Sequence, residues 1–235
     1  MISNSVQNNV SVPTATSLFN ELVANPTLGA RRMSVAPGTV LYEPHAPADN
    51  IYFIHRGQIR TYHVGDEHYG RLIDILGPEA WFGEAALAKQ TSYGEQAIAV
   101  APSVVSEISA ERFLGLLVQQ PRAAVEIFRQ LAGKLTAARE DAAGLVFDDC
   151  HSRLLKALVR FSRSAAASQH GDGVVLRITH EQLAQAIGVA RETVSLALTQ
   201  LRQQNLLRTG RNQLMFNPEA LRNFTQSRRK HAKAG

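Results

Sequence analysis

The segment THEQLAQAIGVARETVSLALTQLRQQNLL, residues 179–207, has a spacing that few folds can satisfy. It predicts two helices around a tight turn. Thr179 is placed to cap the first helix, and Gln182 stands where it completes a capping box. Leu183, Ala184 and Ile187 give that helix one apolar face. Gly188 ends it, because a left-handed backbone is easiest for glycine. Val189 plugs the turn, and the second helix begins near Arg191. Val194, Leu198 and Leu201 recur at spacings of four and three. They face a core and leave Arg191, Glu192, Thr193 and Ser195 on the other side.

Helix pairs joined by glycine also occur with no role in nucleic-acid binding, so the flanking chemistry has to decide. The second helix of such a motif enters the major groove with its N-terminal residues nearest the bases. Arginine donates two hydrogen bonds to guanine O6 and N7, and glutamate accepts one from cytosine N4. A glutamate facing DNA is repelled unless it meets such a donor. Arg191 and Glu192 together therefore point to sequence reading of double-stranded DNA. Downstream, LLRTGRNQLMFN reads as a hairpin turning at 209–212, a wing whose Arg208 and Arg211 would touch phosphate. Residues 148–235 carry 14 Lys/Arg against 6 Asp/Glu, whereas residues 1–147 carry 11 against 14. One basic end on a slightly acidic body suits a polyanionic partner. The tail SRRKHAKAG supplies four of those cations. The alternative is an architectural protein that binds DNA by charge alone, without a ligand.

Upstream, residues 28–108 alternate short apolar, β-branched runs with Gly and Pro turns, the pattern of a β-sandwich or barrel. SAERFLGLLVQQ reads as a helix with Ser109 at its cap, and Pro121 opens a longer one. On that helix Phe128, Leu131, Leu135, Ala138, Ala142 and Leu145 recur at 3, 4, 3, 4, 3. This is an a/d seam of nearly three heptads. A helix lying on its own barrel would also carry an apolar stripe, but the narrow stripe and charged flanks favour a homodimer. Asp149 is placed to cap the next helix, HSRLLKALVRFSRSAAA. SQHGDG then reads as a turn and VVLRIT as a strand.

These pieces resemble the cyclic-AMP receptor protein/FNR family of bacterial regulators. The resemblance lies in THEQLAQAIGVARETVSLAL, in HGDGVVLRIT before it, in GLVFDDCHSRLLKAL at a hinge, in WFGEAALA and in IYFIHRGQIRTYHV. It implies an α+β chain with an N-terminal jelly-roll sensor, a long dimerisation helix and a C-terminal winged helix-turn-helix. The expected divisions are a disordered tail at 1–17, a sensor at 18–120, a dimerisation helix at 121–147, a DNA-binding domain at 148–226 and a basic tail at 227–235. By resemblance Arg191 and Glu192 read G·C pairs, Thr179 meets a phosphate, and Thr193 and Ser195 line the contact. Leu196 stands where the family's cyclic-AMP-binding member has a second base-reading arginine, so the half-site differs. The loop at 168–173 matches the surface that touches RNA polymerase in family activators.

The same resemblance frames the effector. Gly83 and Glu84 keep the start of the cyclic-nucleotide cassette, where the family's glutamate bonds the ribose. Glu95 falls where the cyclic-phosphate arginine belongs, and Gln96 where a serine belongs. No Arg or Lys lies between Gln90 and Val100. Ala138 and Arg139 replace the Thr and Ser that recognise adenine, leaving Arg139 as a substitute anion partner. Cyclic AMP in its usual mode is therefore not expected. A cyclic dinucleotide, 2-oxoglutarate, another metabolite, or no effector at all stay open. An iron–sulfur cluster needs several cysteines, and Cys150 is the only one. A haem would have to draw on His45, His55, His63 or His68. No metal site is expected. With no His-x-His pair, phosphate loop or nucleophile elbow, nothing points to an enzyme or a catalytic residue. The polar N-terminus and lack of a long apolar run read as a cytoplasmic protein without a membrane partner.

Overall fold

Alternation of inward apolar and outward polar residues produces two four-stranded antiparallel sheets in the first half of the chain. A computed structural model describes residues 23–65, 70–88 and 90–232. The readings of 1–17 as a tail, of His68 as a ligand and of the final residues 233–235 lie outside these. The first sheet has the order β1 (Arg31–Val35), β8 (Ser103–Ser109), β3 (Asn50–Arg56), β6 (Trp81–Phe82). The second runs β2 (Val40–Tyr42), β7 (Gln96–Ala99), β4 (Ile59–Val64), β5 (Gly70–Leu76). Together they form the expected jelly roll. Ile51, Phe53, Ile54, Ile59, Ala97, Ala99, Val105 and Ile108 fill its core.

Two helices close this core. Helix α1 (Ala110–Gln119) contributes Phe113, Leu116 and Leu117. Ser109 occupies its N-cap position, but its side chain makes no capping bond. Helix α2 (Pro121–Phe147) starts on Pro121, whose fixed φ and missing N–H suit the first turn. Ala123 and Ile127 bury against the jelly roll and Leu131 packs beside them, after which the helix runs on with its seam uncovered.

Helix α3 (Cys150–Phe161) opens the C-terminal unit, with the Asp149 carboxylate accepting from Ser152 N at 2.7 Å. The sequence suggested a helix continuing through residue 167. It stops at Phe161 because Ser162 and Ser164 turn their hydroxyls onto the carbonyls of Val159 and Phe161, each at 2.8 Å. SQHGDG, expected as a turn, instead begins with a strand. β9 (Ala167–His170) pairs with β10 (Gly173–Leu176) in a sheet that β11 (Leu207–Gly210) and β12 (Gln213–Phe216) complete in the order β11-β12-β10-β9. Helices α4 (His180–Ile187) and α5 (Arg191–Gln203), strands β11 and β12, and helix α6 (Pro218–Ala232) complete a winged helix-turn-helix.

The two units share a boundary. Leu72 and Ile75 of edge strand β5 belong to the second core, with Leu154, Leu158, Phe161 and Ile187. A Cβ on Gly77 would lie 2.4 Å from the Ala165 methyl, so the chains meet there closely. Ion pairs Arg160–Asp141 and Lys156–Asp148 tie α3 to α2 and its C-terminal end. Among the described residues no helix is long and apolar enough to cross a membrane.

Candidate DNA-binding surface and sensor cleft

The helix-turn-helix is built as its local chemistry dictates. Thr179 Oγ1 accepts from Gln182 N at 3.1 Å, and Gln182 Oε1 accepts from Thr179 N at 3.0 Å, a reciprocal capping box. Gly188 has φ 67, the left-handed value that closes α4. Val194, Leu198 and Leu201 are buried, each contributing about 1.5–3 kcal/mol. Their burial fixes the roll of α5, so Arg191, Glu192 and Thr193 at its start face solvent. Leu196 stands beside them at 63% exposure.

The wing turns at Arg211-Asn212, with Asn212 at φ 55. Arg208 and Arg211 are exposed. A cleft of about 420 Å³ lies between the start of α4 and the wing. Thr179, His180, Glu181, Arg191, Arg211 and Gln213 line it. Three of the expected phosphate or base contacts, Thr179, Arg191 and Arg211, thus converge; Arg208 lies outside that lining. Ser195, expected on the contact face, is half-buried and turned aside. Its hydroxyl donates to Arg191 O at 3.0 Å and meets His180 Nδ1 at 2.9 Å. His180 was not singled out from sequence, because its partner lies fifteen residues away across the turn.

In the jelly roll, Gly83 has φ 87, and a Cβ there would sit 3.0 Å from Asn50 O. Only glycine fits comfortably. Glu84 follows, with Oε1 accepting from Lys134 Nζ at 2.9 Å while Oε2 is buried without a hydrogen-bond partner. Lys134 Nζ also lies 4.9 Å from the Trp81 ring centre, and Trp81 Nε1 donates to Gln130 Oε1 at 2.6 Å. Helix α2 is thereby strapped onto β6. A cleft of about 330 Å³ opens beside this strap, lined by Asp74, Glu84, Lys134, Ala138, Asp141 and Arg160 among others. Burial pushes the Asp74 carboxyl up, against the pull of Lys134 and Arg160.

Gln96 and Arg139 do not join Glu84 within one chain. Gln96 donates to Glu43 Oε2 at 2.8 Å on an exposed face, because it alternates with the inward-facing Ala97 on β7. Arg139 is exposed on α2 and absent from the cleft lining. Glu95 takes the inward place instead. It accepts from Tyr42 OH at 3.0 Å, and Tyr42 stacks on Tyr93 with ring centres 3.8 Å apart. Burial, then the Glu84 charge, pushes the Glu95 carboxyl up to about 7. Asp74 and Lys134 were missed because only the tertiary fold brings β5, Glu84 and α2 together.

Among the described residues, the histidines considered for haem make separate contacts. His55 bonds Ser106 Oγ at 2.7 Å, while His45 and His63 are exposed. Burial pushes the thiol of the half-buried Cys150 up, away from the reactive thiolate form.

Residues 32–120 match the cyclic nucleotide-binding domain family, and residues 152–224 match the Crp-like helix-turn-helix domain family. Over 161 residues the chain is 27% identical to the cAMP-activated global transcriptional regulator CRP of Haemophilus influenzae, spanning 68% of this chain and 72% of that one. It is 24% identical over 189 residues to the CRP-like cAMP-activated global transcriptional regulator of Mycobacterium tuberculosis, covering 78% and 83%. The fold is shared with the c-di-GMP responsive global regulator CLP of Xanthomonas campestris, at TM-score 0.71 and 23% identity over 84% of this chain and 98% of that one. It is shared also with CooA from Carboxydothermus hydrogenoformans, at TM-score 0.73 and 19% identity over 88% and 95%.

Proposed function

The chain belongs to the cyclic-AMP receptor protein/FNR family of bacterial transcription regulators, and on that premise we propose that it acts as a homodimer that reads a near-palindromic promoter site and is not gated by cyclic AMP in the usual way. The family's members are transcription regulators, not enzymes, and the helix-turn-helix is the DNA-binding domain. The observation that carries the proposal is the outward set Arg191, Glu192 and Thr193 on a helix whose inner face is locked by buried leucines. In this reading Arg191 and Glu192 meet base edges, and Thr179, Arg208 and Arg211 hold the phosphates on either side.

Residues 18–120 form the sensor, 121–147 the dimerisation helix and 148–226 the DNA-binding domain. The seam supports the homodimer: Phe128 is 71% exposed, Leu135 53% and Leu145 40%. Two such helices side by side would cover them and set the half-sites about one helical turn apart. The β9–β10 hairpin is the surface offered to RNA polymerase. Against cyclic AMP stands the electrostatics of the cleft. Lys134 is already paired with Glu84, Asp74 and Asp141 share the same lining, and inward-facing Glu95, a carboxyl rather than a cation, offers a cyclic phosphate no positive partner. Arg139, exposed on α2, is free to face the partner's sensor as an anion contact.

The Arg191→Ala variant tests the base-reading claim. Binding to the cognate site should weaken by about 1–3 kcal/mol, with relaxed preference at one base position. A uniform loss on all DNA would instead mark an architectural protein that binds by charge. Calorimetric titration with cyclic AMP should give no saturable heat; saturable binding that also tightens DNA binding would overturn the effector claim.

A further inference from the structure

The hydroxyl of Ser195 has a single proton, and it is committed. Ser195 Oγ donates to Arg191 O at 3.0 Å, so its contact of 2.9 Å with His180 Nδ1 must have the imidazole as donor. That fixes the neutral ring in its Nδ1–H tautomer. The other nitrogen, Nε2, then carries a lone pair, and the ring lines the cleft between α4 and the wing. The charged groups around that cleft are Glu181 on the same helix, Arg191 on α5 and Arg211 at the wing turn. Taking the DNA-binding surface proposed above as given, we propose that DNA binding draws a proton onto His180 Nε2, which makes this imidazole a pH-gated contact to the DNA backbone, held in position through Ser195.

The chemistry follows from the tautomer. A lone pair facing a phosphate oxygen is repelled. Protonation turns Nε2 into a charged donor, and the Nδ1–H bond to Ser195 is unchanged. In the free protein, burial first and the Arg191 charge second push the ring below the ordinary histidine value. The ring is therefore neutral at neutral pH. Phosphate adds negative charge to a cleft that holds Arg191 and Arg211 beside Glu181, which favours the imidazolium. The bound-state value thus lies above the free one. The added affinity is fully present below the free-state value and is lost as pH rises through the bound-state value.

Random-sequence duplex DNA serves as the probe, because a backbone contact acts on any sequence. At fixed salt, the affinity of the full chain should rise about threefold to tenfold from about pH 8 to about pH 6. His180→Asn can donate to Ser195 but cannot charge, so its profile should lose that rise. His180→Arg carries a permanent cation and should also be flat, with tighter binding at the alkaline end. Nitrogen-15 spectra of the wild-type imidazole give a readout independent of folding in the variants. They should show the Nδ1–H form in the free protein and an upward-shifted titration on adding DNA. Variants that keep the wild-type slope, or an imidazole whose titration does not rise with DNA, would overturn the proposal. A wild-type chain that binds no DNA at any pH would overturn the surface reading itself, which sets the two failures apart.

Discussion

Glu95 is a carboxyl whose folded surroundings favour its protonated form. Burial and the Glu84 charge raise it from 4.5 to about 7. A carboxyl raised on folding favours the protonated fold. Its contribution is fully present below about 4.5 and is lost as pH rises through about 7. Glu95→Gln is always neutral, so thermal melts should show a gain of about 1–3 kcal/mol on the alkaline side and little change in acid. Equal gains at both ends would contradict this assignment. Residue by residue, the legible features were local ones. The Thr179–Gln182 capping box and the left-handed Gly188 need only their neighbours in sequence. The Lys134–Glu84 pair, 50 residues apart, and the His180–Ser195 contact needed the tertiary fold. Gln96, expected at the pocket by resemblance, alternates with inward-facing Ala97 and bonds Glu43 instead.

At the scale of elements, helix α2 reconciles two readings that its sequence left open. Ala123, Ile127 and Leu131 lie on the jelly roll, while Phe128, Leu135 and Leu145 stay uncovered. One stripe seats the helix on its own unit, and the adjacent stripe is the one proposed above as the seam. Leu135→Asp puts a charge into that second stripe and is expected to yield monomers in light scattering at concentrations where the parent chain is dimeric. An unchanged mass would contradict the seam. The strands of the jelly roll were legible from their Gly and Pro breaks. Strand β9 was not, because SQH is polar and its pairing with β10 leaves Ser168, Gln169 and His170 exposed on the sheet edge. The end of α3 was missed because serine hydroxyls, rather than a Gly or Pro, stop it.

At the scale of the molecule, the jelly roll and the winged helix-turn-helix share a packed boundary. Leu72 and Ile75 of β5 sit in the core that also holds α3 and α4, and Arg153 Nη1 donates to Ile187 O at 2.9 Å across the latter pair. The cleft beside Glu84 and Lys134 reaches this boundary, since Arg160 of α3 lines it. An effector shifts the recognition helices only as far as it prefers one arrangement over the other. The order of units was legible in the sequence, but their boundary was not, because apolar residues on β5 have the same spacing whether they face a barrel or a neighbour. The central claim is a dimer that reads sequence without cyclic AMP. Selection of bound sites from random duplex DNA at fixed salt, with and without cyclic AMP, tests it directly. The account predicts one enriched, near-palindromic site with half-sites about a helical turn apart, the same in both arms. No enriched sequence, or enrichment only when cyclic AMP is present, would contradict it.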